Sequence, residues 1–166
     1  MRAGIALGSN LGDRLEHLRA ARKKILHLPE VRAPFLFSAI YESEPVGCEA
    51  RARNFLNAVM EIAFETSAER LLQELKSIEV SLGRQRDHGR NVSRTIDLDL
   101  LYFGDMVRNG AELQLPHPRM HERRFVLAPL ADIRPDLILP NQKKPVSIIL
   151  TQVADKLAVV RSTEQW

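Results

Sequence analysis

With 166 residues, 45% apolar and 27% charged, and no low-complexity run or internal repeat, the chain reads as one ordinary globular domain spanning residues 1–166, neither disordered nor fibrous. Its apolar stretches are too short to span a membrane, its first residues lack a signal-peptide core, and Cys48 is its only cysteine, so a cytoplasmic protein without an internal disulfide is expected. The net charge of +3 is small, but arginines crowd positions 84–94 and 119–124, which points either to a polyanionic ligand or to a plain basic surface.

In chain order, Ala3, Ile5 and Leu7 alternate with Gly4 and Ala6 and predict a short buried strand. Residues 8–13 follow as a glycine-bearing turn; it lacks the Lys-Ser/Thr ending of a P-loop and reads as a plain strand-to-helix connection. Leu15, Leu18, Ala21, Ile25 and Leu28 then mark one face of a helix closed by Pro29. Phe35 to Tyr41 predicts a second strand, and residues 42–53 form a long polar connection of the kind that often serves as a functional flap. The third strand, Phe55 to Phe64, sets Phe55, Asn57 and Val59 on one face. Asn57 is the odd polar residue there, either a satisfied buried amide or a donor–acceptor pair facing a heterocycle. Thr66 to Glu69 reads as a capping box opening a second helix, with Leu71, Leu75, Ile78 and Leu82 along one face and Gly83 at its end.

Residues 94–103 predict the fourth main strand, without Gly or Pro and rich in residues that suit a pleated surface. On it Asp97 and Asp99 share one face, roughly 6–7 Å apart at Cα, while Ile96, Leu98, Leu100 and Tyr102 take the other. Two unpaired carboxylates so placed repel by about 2–3 kcal/mol at an effective dielectric near 20, which calls for a cation such as Mg²⁺ unless both are simply solvated. The order βαββαβ predicts an α+β fold, a ferredoxin-like antiparallel sheet with two helices on one face. Short C-terminal helices and a strand are expected after it. Leu113 and Leu115 mark a short strand, Pro116-His117-Pro118 a rigid turn, Met120 to Leu127 a short helix, and Val146 to Leu150 a last one, with Pro129, Pro135 and Pro140 as punctuation.

The blocks GSNLGDR, FLNAV, SIEVSLGR, RTIDLDLLYFGD and LPHPRMHERRFVLAPL, in this order from Ile5 to about Pro140, resemble the 6-hydroxymethyl-7,8-dihydropterin pyrophosphokinase family. The resemblance implies transfer of pyrophosphate from ATP to the hydroxymethyl group of the pterin, with AMP released, in folate biosynthesis. It implies that Asp97 and Asp99 hold two Mg²⁺ ions, that Arg84 and Arg94 act with them in catalysis, and that Glu79, Arg84, Arg86, Arg94, His117 and Arg123 contact ATP. Phe55 and Phe125 match the two faces of an aromatic sandwich around the pterin, Asn57 its edge reader, and Ser43, Glu44 and Val46 backbone partners of that edge. The expected partners are ATP and the pterin, with no nucleic acid and no membrane, and the chain is expected to be a monomer. Two departures stand out. Glu44 replaces a proline that many members carry, and Asn91-Val92-Ser93 replaces their Trp-Gly-Pro. The polar segment from Gln85 to Ser93 is expected to be mobile in the free protein and to order over bound nucleotide.

Two other classes share this element order. An RNA-binding module would need exposed aromatic signatures on its central strands, which Ala3 to Leu7 and Phe55 to Phe64 lack. A sensor domain would bind the same ligands without turnover.

Overall fold

The computed structural model of the protein describes residues 1–45, 53–83, 94–154 and 157–166. Its centre is a six-stranded antiparallel sheet. The strands are β1 (Arg2–Ser9), β2 (Val31–Phe37), β3 (Tyr41–Ser43), β4 (Phe55–Phe64), β5 (Asp97–Phe103) and, late in the chain, β8 (Val159–Arg161). They run across the sheet as β5-β1-β4-β3-β8, and β2 pairs with another part of β4. A separate two-stranded ribbon joins β6 (Arg108–Asn109) to β7 (Gln114–Leu115).

Period-two alternation divides the strands between two cores. Ile5 and Leu7 of β1, with Leu56, Ala58, Met60, Ile62 and Phe64 of β4, face helices α1 (Arg14–Leu26) and α2 (Ala68–Ser81). Leu18, Ala21 and Ile25 of α1 and Leu71, Leu75 and Ile78 of α2 close this layer, as their helical spacing predicts. Val59, Leu101 and Tyr102 face the other way, against Val126, Leu127 and Leu130 of α3 (Arg124–Ile133) and Val146 of α4 (Val146–Gln152). Burial of each such large apolar side chain stabilises the fold by about 1.5–3 kcal/mol. Among the described residues no helix is long and apolar enough to cross a membrane.

Several sequence expectations change. The second strand is two, since the chain leaves the sheet between Phe37 and Tyr41, where Ser38 turns its Oγ to accept from the Val59 amide at 2.9 Å. The N-cap of α2 is Ser67, not Thr66: the Ser67 Oγ accepts from the Arg70 amide at 3.2 Å. The helix expected over Met120–Leu127 is a 3-10 turn, Met120–Glu122, followed by α3, and the extended backbone of Arg123 separates them. Pro129 lies inside α3 instead of ending it.

Tyr102 is the most consequential correction. The pairing of β1 with β5 slips between Gly4 and Ile5, which face Tyr102 and Leu100 respectively, so Leu101 is the extra residue of a β-bulge. The bulge reverses the alternation, and Tyr102 joins the face that carries the aspartates. There its ring lies over Gly4, where a Cβ would overlap it, and its hydroxyl donates to Glu61 at 2.5 Å. Glu61 is fully buried and also receives Arg2 at 2.9 Å and Arg134 at 3.4 Å. Four charged or polar side chains thus tie the C-terminal end of α3 to the sheet.

Candidate active site

Cross-strand register assembles the site. On the α3 face of the sheet, Asp97 of β5, Gly8 of β1 and Asn57 of β4 are successive partners, and the next row is Asp99, Ala6 and Val59. The small residues of β1 leave a floor, and the wider side chains on either side make walls. The result is a cleft of about 640 Å³. Ser43, Glu44, Phe55, Asn57, Glu79, Arg94, Asp97, Asp99, His117, Arg123 and Phe125 all line it. Val46, Arg84, Arg86 and the segment from Gln85 to Ser93 lie outside the described residues.

One wall is charged. Arg94 Nη1 donates to Asp97 Oδ2 at 2.8 Å. The Asp99 Oδ2 lies 3.9 Å from His117 Nε2 and 3.8 Å from Arg123 Nη1, longer approaches that leave room between these two groups and the carboxylate. Burial, and next the Asp97 charge, push the Asp99 carboxyl above the usual carboxylate range, against the opposing pull of His117, Arg123 and Arg94. Burial likewise holds the His117 imidazole below its usual value, opposed by Asp99. The Arg119 amide donates to His117 Nδ1 at 3.3 Å, so the neutral ring carries its proton on Nε2, the atom that faces Asp99. Burial, then the neighbouring Arg119 charge, lower the Arg123 pKa.

The opposite wall is aromatic and amide. Asn57 is buried, and its Nδ2 donates to Ser43 Oγ at 2.9 Å. The amide is anchored by Ser43, as the satisfied-amide reading expects, and the residue also lines the cleft. Phe55 and Phe125 are half-buried, and the Arg123 guanidinium lies 5.6 Å from the Phe125 ring centroid, so the wall of cations continues into the aromatic one.

Glu79 lines the cleft and also makes a structural bond. It is buried at the end of α2, and its Oε1 accepts the Leu98 amide, between the two aspartates, at 2.7 Å. The sequence does not single out Ala6, Gly8, Lys76 or Glu122, which also line the cleft with Arg119 of the 119–124 arginine cluster. The signal available for the floor was the run of small residues at Gly4, Ala6 and Gly8, one at every second position.

The sequence model of the family described as 7,8-dihydro-6-hydroxymethylpterin-pyrophosphokinase (HPPK) matches residues 4–135. A Haemophilus influenzae protein named 2-amino-4-hydroxy-6-hydroxymethyldihydropteridine pyrophosphokinase is 40% identical over 156 residues, covering 94% of this chain and 92% of its own. A Bacillus subtilis protein of the same name is 47% identical over 131 residues, covering 79% of this chain and 77% of its own. In structure, Plasmodium falciparum wild-type HPPK-DHPS with pterin and p-hydroxybenzoate aligns with a TM-score of 0.70 at 14% identity, over 91% of this chain and 42% of that one, a likeness of fold. Family match and relatives agree: the chain belongs to the 7,8-dihydro-6-hydroxymethylpterin-pyrophosphokinase family.

Proposed function

We propose that the protein transfers pyrophosphate from ATP to 6-hydroxymethyl-7,8-dihydropterin and releases AMP, acting as a cytosolic monomer within one domain of ferredoxin-like topology. The observation that carries this reading is the division of one cleft into an acid-and-cation wall and an amide-and-aromatic wall, with Gly8 between Asp97 and Asn57. A triphosphate suits the first wall and a flat heterocycle the second.

In this reading the hydroxymethyl oxygen attacks the β-phosphorus, the bond from that phosphorus to the oxygen shared with the α-phosphate breaks, AMP leaves with that oxygen, and the hydroxyl proton passes to solvent. Asn57 holds the pterin edge, and Phe55 and Phe125 hold its faces, so the attacking oxygen is presented in line. The backbone around Ser43, Glu44 and Val46 completes that edge. Arg94, His117 through its Nε2 proton, and Arg123 bind phosphate oxygens as charge develops, with Arg84, Arg86 and Glu79 as further nucleotide contacts. One donor placed on such charge is typically worth about 3–4 kcal/mol.

The donor set fits Mg²⁺. Asp97 and Asp99 offer oxygen only, and burial and mutual repulsion disfavour two bare charges there. Among the described residues no cluster of three or more His, Cys, Asp and Glu side chains is formed, so phosphate and water oxygens would complete the coordination, as is usual for this ion. Asp97 and Asp99 would hold Mg²⁺, two ions in this reading, whose chemistry is to neutralise and align the triphosphate.

Incubation with ATP, Mg²⁺ and the pterin, followed by separation of nucleotides, tests the proposal. AMP in equal amount to pterin diphosphate is expected. ADP as the sole nucleotide product would overturn it, and tight binding without turnover would favour the sensor reading.

A further inference from the structure

Asn10 lies in the turn between β1 and α1 and is fully buried. Its Oδ1 accepts the Arg94 amide at 2.7 Å, while the Asn10 and Leu11 amides both donate to the Arg94 carbonyl, at 3.1 and 3.2 Å. One residue earlier, Ser9 Oγ donates to the Thr95 carbonyl at 2.6 Å. The turn therefore grips both backbone polar groups of Arg94 and one of the next residue. Arg94 needs such a grip because it stands outside the sheet: β5 begins only at Asp97, so no strand ladder fixes its backbone. From that held backbone its guanidinium reaches Asp97 at 2.8 Å.

We propose that Asn10 is a positioning residue for the phosphate wall, fixing through the Arg94 backbone the direction in which the Arg94 guanidinium reaches Asp97 and the phosphates. The proposal rests on the pyrophosphokinase reading of the cleft. A guanidinium stands about 6 Å from its own Cα, so a backbone tilt of about 10° moves it by about 1 Å, and a displacement of that size costs catalysis on the order of 100-fold. Asparagine suits this role because its carbonyl reaches the Arg94 amide without placing a charge in a buried turn. The other end of the same amide, Nδ2, lies 3.5 Å from the Arg53 carbonyl, a weaker contact toward the chain entering β4.

A double-mutant cycle tests this. Turnover, pterin affinity and affinity for a non-hydrolysable ATP analogue with Mg²⁺ are measured for the wild type, Asn10→Ala, Arg94→Ala and the double variant. Asn10→Ala is expected to lower kcat on the order of 100-fold while pterin affinity stays within about twofold. In the Arg94→Ala background the same change should cost less than about threefold, because the group it positions is already gone. Exchange of the Arg94 amide proton should also be faster in Asn10→Ala. Equal losses in both backgrounds, or wild-type turnover and exchange in Asn10→Ala, would overturn the proposal. If Asn10→Ala fails to fold, Asn10→Ser, whose oxygen is too short to reach the Arg94 amide, takes its place. A wild type that releases no AMP would refute the pyrophosphokinase reading instead, and the analogue affinities and amide exchange in the same cycle would still decide whether Asn10 positions Arg94.

Discussion

The Glu79 Oε1 accepts the Leu98 amide at 2.7 Å, so the last turn of α2 pins the outer edge of the strand that carries both aspartates. Strand β5 ends the sheet, and without this bond an inner amide of the strand would be left buried and unsatisfied. Glu79→Ala should therefore cost about 1–3 kcal/mol in chemical denaturation and also lower kcat, because Asp97 and Asp99 flank the freed amide. Glu79→Gln keeps the accepting oxygen and should recover most of the stability. Equal destabilisation by both changes would show that the carboxylate charge, and not the bond, is what α2 supplies.

Asp97→Asn and Asp99→Asn should each lower kcat by orders of magnitude, since each keeps size and hydrogen bonding but removes charge that would hold Mg²⁺ in the proposed reaction. Thermal melts should show folds that survive, at least as stable as the wild type without Mg²⁺, and a smaller gain on adding Mg²⁺ with ATP. Near-wild-type turnover in both variants would make the pair structural.

Asn57→Ala and Phe125→Ala should weaken the pterin more than ATP, the ring by about 1–3 kcal/mol. Ser43→Ala should act in the same direction through loss of the 2.9 Å bond that orients Asn57. Calorimetric titration of each ligand alone checks this, and equal losses for both ligands would point to collapse of the shared cleft.

The two tyrosines give a pH prediction. Burial, then the bond to Asp132, raises Tyr41 to about 12, and burial with the Glu61 bond raises Tyr102 as well. The folded protein should show little tyrosinate absorbance near pH 10, where unfolded tyrosines ionise. With pKa values raised by folding, their contribution to stability is complete below about pH 10 and is lost as pH rises through about 12 and beyond. Tyr41→Phe should flatten part of that alkaline decline in denaturation midpoints; an unchanged slope would count against the Tyr41 shift.

What could be read from the sequence was whatever depends on local periodicity or on family blocks. The shared face of Asp97 and Asp99, the exceptional Asn57 and the helical stripes of α1 and α2 follow from spacing alone, and His117, Arg123 and Phe125 fall within one contiguous block. The alternation of residues 94–103 puts Tyr102 on the wrong face because a bulge is decided by the partner strand: nothing within that stretch announces that Leu101 is the extra residue. Asn10 looked like an ordinary turn residue because its partner, Arg94, lies 84 positions away. Thr66 and Ser67 are both competent caps, and only the path of the chain leaving β4 selects the second.

Glu61 gives the molecule a remote point of failure. It sits on the same sheet face as the cleft, beneath the far end of α3, and it neutralises Arg134 of the helix whose opposite end brings Phe125, next to Arg123, to the lining of the cleft. An unbiased screen for inactive variants should therefore return Glu61 substitutions although this buried residue is not among those that line the cleft. Such variants would leave Arg2 and Arg134 facing one another across a vacated pocket, and the helix would be free to pivot about its better-packed middle.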